Sequence, residues 1–309
     1  MILFALRGLT VSLSVFVLMY AVLRLSVAGG WSLTRQRFAW LSPNALYALQ
    51  VGPFVLSVMI VAAFTVPSFL RFEPRVVQEA FGPPIVVLSL ACLGFFGVGF
   101  YRTYKAYVLS RRIVEQWRAD GKQVEGPRGV PICQTGPNAP PLVVAGFWRP
   151  KLLISSSTSG VLSEKELARA ISHESAHIRR HDNLKKLALR ACSFPRATQI
   201  EQQWMAALEL DADRYAVSNK SEALDLASAL VKASRLSTPT AEFTTHLTEG
   251  GQLLHLRVQR LLNWDASQSS NQLLGYLTAA VAVTSGLAVV LCYQGILLRM
   301  HSLAELLMQ

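Results

Sequence analysis

The sequence predicts a mainly α-helical membrane protein with four transmembrane helices. An α+β domain with a small antiparallel sheet is inserted between the third and the fourth. Three observations lead there. Of 309 residues, 51% are hydrophobic and only 16% charged, where a soluble domain carries roughly 25% charged residues. The apolar residues gather into four long runs. The polar residues concentrate in one segment, 102–271, between the third run and the last.

Residues 1–23 are apolar apart from Arg7, and a span needs about 20 residues. The run is long for the core of a secretory signal and lacks a small-residue cleavage site, so it reads as an uncleaved first span. The loop after it carries Arg24, Arg35 and Arg37 and no acid, with Trp31 and Trp40 placed as interfacial anchors. Residues 45–70 hold no charge and form the second span, with Pro53 and Pro67 marking kinks or ends. The next loop, 71–81, balances Arg71 and Arg75 against Glu73 and Glu79. The third span is 82–101, and its helix is expected to continue into water through Tyr104, Arg111 and Trp117. The fourth is 273–298. Three units follow: 1–110 with three spans and a cytoplasmic extension, 111–270 as the polar domain, and 271–309 with the last span and a short tail. Gly94, Gly97 and Gly99 in the third span, and Ser285 and Gly286 in the fourth, are small enough for close helix contact.

Positive charge near the spans sets orientation. The Arg-rich first loop, together with Arg102, Lys105, Arg111 and Arg112 at the start of the polar domain, places that domain in the cytoplasm and both termini outside; Arg7 and Arg299 oppose this. The net charge of +11 is not gathered into one block, which speaks against direct nucleic-acid binding and for a face turned to anionic lipid. Cys92 and Cys292 lie in apolar runs, and Cys133 and Cys192 stand apart with no C-x-x-C, so reduced thiols are expected.

Within the polar domain, 130–134 and 141–155 look extended. The second stretch reads as a hairpin with its turn at 146–150. Ser163 and Glu166 form a capping box that starts a helix running to Arg180. Further helices are expected over 183–192, 199–218, 222–235 and 251–264.

The first of these helices carries His173-Glu174-x-x-His177. Side chains four apart share a helix face, so two imidazoles can bind one Zn²⁺ while Glu174 takes a proton from an attacking water. This is the zincin pattern. Catalytic zinc keeps three protein ligands and an open position. His181 lies eight residues from His173, about 12 Å along a helix at 1.5 Å per residue. No Gly bends the chain between His177 and Asn183, so His181 reads as a helix-end residue. Glu209, in Glu-Leu-Asp-Ala-Asp, is the better third ligand, with Asp211 and Asp213 as fallbacks. Asp213 is placed to hydrogen-bond a ligand His and fix its tautomer. His246, His255 and Arg257 are candidate oxyanion donors, and nothing in the sequence chooses among them.

HESAHIRRHDN followed by ELDADRYA resembles the integral-membrane zinc metallopeptidases (gluzincins) of the BlaR/MecR antirepressor family. The R-P-x-L-L element ahead of the helix, the H-x-R-R-x-D that closes it and the R-x-x-R-L-L stretch at 257–262 belong to the same pattern, as does the placing of the domain between spans three and four. The resemblance implies His173, His177 and Glu209 as zinc ligands, Glu174 as general base and Asp213 as the acid behind the ligands. It also implies a multi-pass enzyme of the bacterial inner membrane that cuts a protein substrate, such as a cytosolic repressor. The hairpin edge Val143, Val144, Ala145 and Gly146 would take that substrate as an added strand. The β-lactam sensors of that family carry a penicillin-binding domain outside, and this sequence stops at Gln309, so a signal is expected to arrive through a partner sensor protein, through the spans themselves or by presentation of the substrate. ELDADRYA is equally similar to HtpX-like quality-control peptidases. A non-catalytic signalling scaffold is the third reading, and it has no need of Glu174.

Overall fold

The computed structural model describes residues 2–34, 41–74, 82–119, 121–125, 131–136, 141–148, 150–192, 198–236, 247–264, 295–299 and 301–302. Among them, three helices are long and apolar enough to cross a membrane. The first is α1 (Ile2–Thr34). The second combines α2 (Pro43–Ile60), a π-helical turn (Val61–Thr65) and α3 (Val66–Phe72). The third is α4 (Pro83–Ala119). Ser42 caps α2 by accepting the Ala45 N–H at 3.3 Å, with Pro43 in the first helical position. The π turn stands just ahead of Pro67, where a wider turn relieves the clash between the proline ring and the carbonyl four residues back.

The three helices pack by small polar and aromatic contacts. Val11 and Val15 of α1 meet Phe69 and Ile85, and Phe16 and Tyr20 meet Cys92. Ser14 Oγ donates to the Ile85 carbonyl at 2.8 Å. Arg7 is buried and pairs with buried Glu73 at 2.8 Å. Leu56, Met59, Val87, Leu90 and Leu93 point outward and are exposed, as a lipid-facing surface requires.

Two expectations change here. α1 does not end at 23, so Arg24 and Trp31 lie in the helix and not in a loop. Arg24 is buried, its Nη1 3.5 Å from the Gln50 carbonyl. Trp31 is no interfacial anchor, because it is buried among Leu46, Leu189, Ile200, Trp204 and Leu208. The polar domain covers this end of α1, which removes it from any lipid boundary. Trp40 and most of the expected fourth span lie outside the described residues. Residues 295–299 are helical, and the Leu297 carbonyl accepts from Ser68 Oγ at 3.0 Å.

α4 runs on to Ala119, as expected, and leads into the sheet. Its strands are β1 (Lys122–Glu125), β2 (Pro131–Thr135), β3 (Leu142–Ala145) and β4 (Lys151–Ser155), in the order β1-β2-β4-β3. The β3–β4 hairpin is antiparallel, pairing Val144 with Leu152, but β2 and β4 are parallel. The sheet is therefore mixed and not antiparallel. Leu152, Leu153 and Ile154 are all buried, so β4 is covered on both faces and takes the interior position between β2 and β3.

The remaining helices are α5 (Ser156–Val161), α6 (Glu164–Arg179), α7 (Asp182–Cys192), α8 (Thr198–Ala216), α9 (Lys220–Leu236) and α10 (Leu247–Leu262). The capping box opens α6: Glu166 N–H donates to Ser163 Oγ, and Ser163 N–H to Glu166 Oε2 at 2.8 Å. Glu166 also holds Lys232 of α9 at 2.8 Å. Ile171 seats α6 on Ile132, Leu152 and Ile154 of the sheet. α6 stops at His181, whose φ of 54° is left-handed, a conformation that ends helices. α7 then packs on α4 so closely that a Cβ on Gly99 would lie 2.5 Å from the Ala191 carbonyl oxygen. The Tyr20 hydroxyl of α1 donates to the Cys192 carbonyl. α8 seats Trp204 and Leu208, both 1% exposed, against α2 and Trp31. Burial of each such side chain contributes about 1.5–3 kcal/mol.

Candidate metal site

On α6, with 3.6 residues per turn, His173 and His177 stand one turn apart on the same face. α8 runs beside α6 in the opposite direction. Arg169 Nη1 reaches the Ala216 carbonyl at 3.2 Å, and Arg180 Nη2 reaches the Leu208 carbonyl at 3.3 Å. This pairing brings Glu209 over the two imidazoles. His173 Nε2 lies 3.3 Å from His177 Nε2 and 3.4 Å from Glu209 Oε2, and His177 Nε2 lies 3.7 Å from Glu209 Oε1. These three residues form a group able to hold a metal ion. A tetrahedral ion with bonds of about 2.1 Å sets its ligand atoms about 3.4 Å apart. The observed separations match it.

Each imidazole turns its other nitrogen to a carboxylate. His177 Nδ1 donates to Asp182 Oδ2 at 2.7 Å, and His173 Nδ1 faces Asp213 Oδ1 at 2.9 Å. Both Nε2 atoms are thereby aimed at the shared space. Asp182 is 1% exposed, and its Oδ2 also receives Arg180 Nη2 at 3.3 Å. Its position comes from His181: one left-handed residue turns the chain, and the first residue of α7 swings back over His177.

Arg257 of α10 closes the group. It bonds Asp213 through Nε at 2.8 Å and Nη2 at 2.7 Å, and approaches Glu209 Oε2 through Nη1 at 3.0 Å. Its Nη2 lies 3.4 Å from His173 Nε2. Of the candidate oxyanion donors, Arg257 is at the site. His255 is exposed on another face of α10, since residues two apart do not share a helix face. His246 lies outside the described residues. Asp211 is held by Arg180 away from the group, and exposed His181 stands beyond the helix end.

The electrostatics follow from burial and these partners. Burial alone would lower the pKa of His173, but contact with Asp213 and Glu209 outweighs it and raises the pKa to about 9. Burial would raise Glu209 and Asp213. His173 and Arg257 outweigh it, and both carboxylates sit below their ordinary range. Glu174, half-buried beside His173, is pushed up mainly by desolvation, so it holds a proton more readily than a free carboxylate.

The expected substrate strand Val143, Val144, Ala145 and Gly146 corresponds to β3 and the bend after it, and β3 is an outer strand of the sheet. Asp182 and Asn183 received no role from sequence reasoning. The signal for Asp182 was present in H-x-R-R-x-D. Asn183 Nδ2 donates to the carbonyls of Val144 at 3.0 Å and Gly146 at 3.1 Å. Comparison of the chain with protein-family models and with curated proteins finds no match.

Proposed function

We propose that the chain is a membrane-anchored zinc endopeptidase, as its resemblance to the BlaR/MecR antirepressor family suggests. The observation that carries this reading is the convergence of His173, His177 and Glu209, with Glu174 beside them and a carboxylate behind each imidazole. Two imidazoles and one carboxylate, leaving a position open, are the donor set of catalytic zinc. When bound, the ion supplies Lewis acidity at the scissile carbonyl. Glu174 takes the proton of the attacking water and passes it to the leaving amine, a task its raised pKa favours. Asp213 and Asp182 hold the imidazoles in the required tautomer. Arg257 offers guanidinium donors to the developing oxyanion.

In this reading a fourth span, 273–298, crosses a bacterial inner membrane, and the zincin-like domain faces the cytoplasm. The substrate is a protein, such as a transcriptional repressor removed on signal. An intact Glu174 sets the reading apart from a signalling scaffold.

The full chain, purified in detergent, is expected to hold about one zinc. Glu174→Gln should keep the metal and lose cleavage of reduced β-casein by at least ~100-fold. Glu209→Ala should lose both. Full zinc in Glu209→Ala, with loss in His181→Ala, would refute the ligand set. Cleavage by Glu174→Gln at the normal rate would refute the chemistry. A single cut in one repressor marks regulated proteolysis, and many cuts in unfolded proteins mark the HtpX-like alternative.

A further inference from the structure

Among the described residues, the outer edge of β3 is held by the side chain of Asn183. Ser155 N–H donates to the Pro141 carbonyl at 3.1 Å, and the antiparallel register pairs 143 with 153 and 145 with 151. Hydrogen-bonded pairs alternate along such a ladder, so 141, 143 and 145 turn their backbone groups to β4. Leu142, Val144 and Gly146 turn theirs to the free edge. Asn183 Nδ2 donates to two carbonyls on that edge, those of Val144 and Gly146. Both hydrogens of one amide nitrogen are used. Gly146, at φ 100°, bends the end of the strand so that the second carbonyl comes into reach, and a residue with a Cβ would be strained there.

Asn183 follows Asp182 directly. Adjacent Cα atoms are about 3.8 Å apart. The first turn of α7 therefore fixes the His177 imidazole with one residue and the strand edge with the next.

We propose that Asn183 is a positioning residue. It sets the open edge of β3 in register with α6, so that a protein chain added to that edge presents its scissile bond at His173, His177 and Glu209. This inference rests on the peptidase reading for its cleavage step. Among the described residues no strand pairs with the side of β3 that carries the Val144 N–H and the Leu142 carbonyl, which an incoming extended peptide can use. Asparagine suits the position chemically. Aspartate has the same shape but no donor, and would set a negative charge against two carbonyl oxygens. Serine is too short to bridge them.

The test uses the zinc-loaded full chain with reduced β-casein as the probe. In the Glu174→Gln background, binding of fluorescein-labelled casein is followed by anisotropy, and N183D and N183S should each weaken it about 10-fold, the scale of a lost pair of hydrogen bonds. With Glu174 intact, the same variants should raise KM more than they lower kcat, and mass spectrometry should show cuts displaced by about two residues, one step of strand register. A merely structural role would not move the cut positions. Zinc at one per chain certifies each variant, and N183S serves if N183D does not fold. Unchanged affinity and cut positions in the variants would overturn the proposal, as would failure of the Glu174→Gln chain to bind casein at all. If casein binds in an Asn183-dependent way but the unaltered chain never cuts it, strand docking stands and the peptidase reading falls.

Discussion

Asp182 shows how much one side chain can do at this site. It is almost fully buried, and one of its oxygens receives both His177 Nδ1 and Arg180 Nη2. A buried carboxylate needs such partners, and in return it holds the imidazole by Nδ1 and keeps Nε2 aimed at the shared space. Asp182→Asn preserves the shape and removes the charge. It is expected to weaken zinc binding 10–100-fold, the usual effect of losing a carboxylate behind a ligand imidazole. Asp211→Asn, whose carboxylate is held by Arg180 away from the group, should leave zinc affinity unchanged. Competition with a chromophoric chelator measures both, and equal affinity of Asp182→Asn and the unaltered chain would remove Asp182 from the site.

At the scale of elements, α7 links the membrane helices to the site. Its first turn holds His177 and the β3 edge, and its last turn lies on α4 at Gly99 and on α1 at Tyr20. The sequence offered Gly94, Gly97 and Gly99 alike as contacts to the fourth span. In the structure Gly99 meets α7; among the described residues, which leave out most of the fourth span, a Cβ on Gly94 or Gly97 would meet nothing within 4 Å. Gly99→Ala would drive a methyl into the Ala191 backbone carbonyl, which no rotamer can relieve. The expected cost is about 1–3 kcal/mol, seen as a lower melting temperature in detergent, with a parallel loss of zinc affinity because α7 carries Asp182. Gly97→Ala should be neutral or slightly stabilising, since alanine is the better helix former. Equal melting temperatures for the two variants would show that the α4–α7 contact does not hold the domain in place.

Across the whole molecule, the contacts set which ends lie together. The last turns of α1, the first turns of α2 and the Gly99 region of α4 all meet α7 or α8. Arg7 and Glu73 pair at the far end of the same helices. The end of α1 and the start of α2 therefore lie on the side of the polar domain, and the start of α1 and the end of α3 lie on the other. The positive-inside tendency, with Arg35 and Arg37 between α1 and α2 in the sequence, is the ground for the proposed cytoplasmic domain. An export-dependent reporter should be active when fused at Gln78 and silent at Ser267. The reverse pattern would place the domain outside and rule out a cytosolic substrate.

Much of this was legible in the sequence because it depends on neighbours along the chain. Apolar length determined the three helices long and apolar enough to cross a membrane, Ser163 and Glu166 determined the start of α6, and the four-residue spacing placed His173 and His177 on one face. The β3–β4 hairpin followed from its β-rich runs and the Gly146 turn. Glu209 was legible as a candidate, because an acid on a partly apolar helix needs a partner. What the sequence could not decide depends on which elements meet. The parallel pairing of β2 with β4, the burial of Arg24 and Trp31, the choice of Arg257 over His255, and the roles of Asp182 and Asn183 all required the tertiary structure. A hydrogen bond needs its two groups within about 3 Å and aligned. Between elements far apart in the chain, packing sets that distance, and local periodicity carries no record of it.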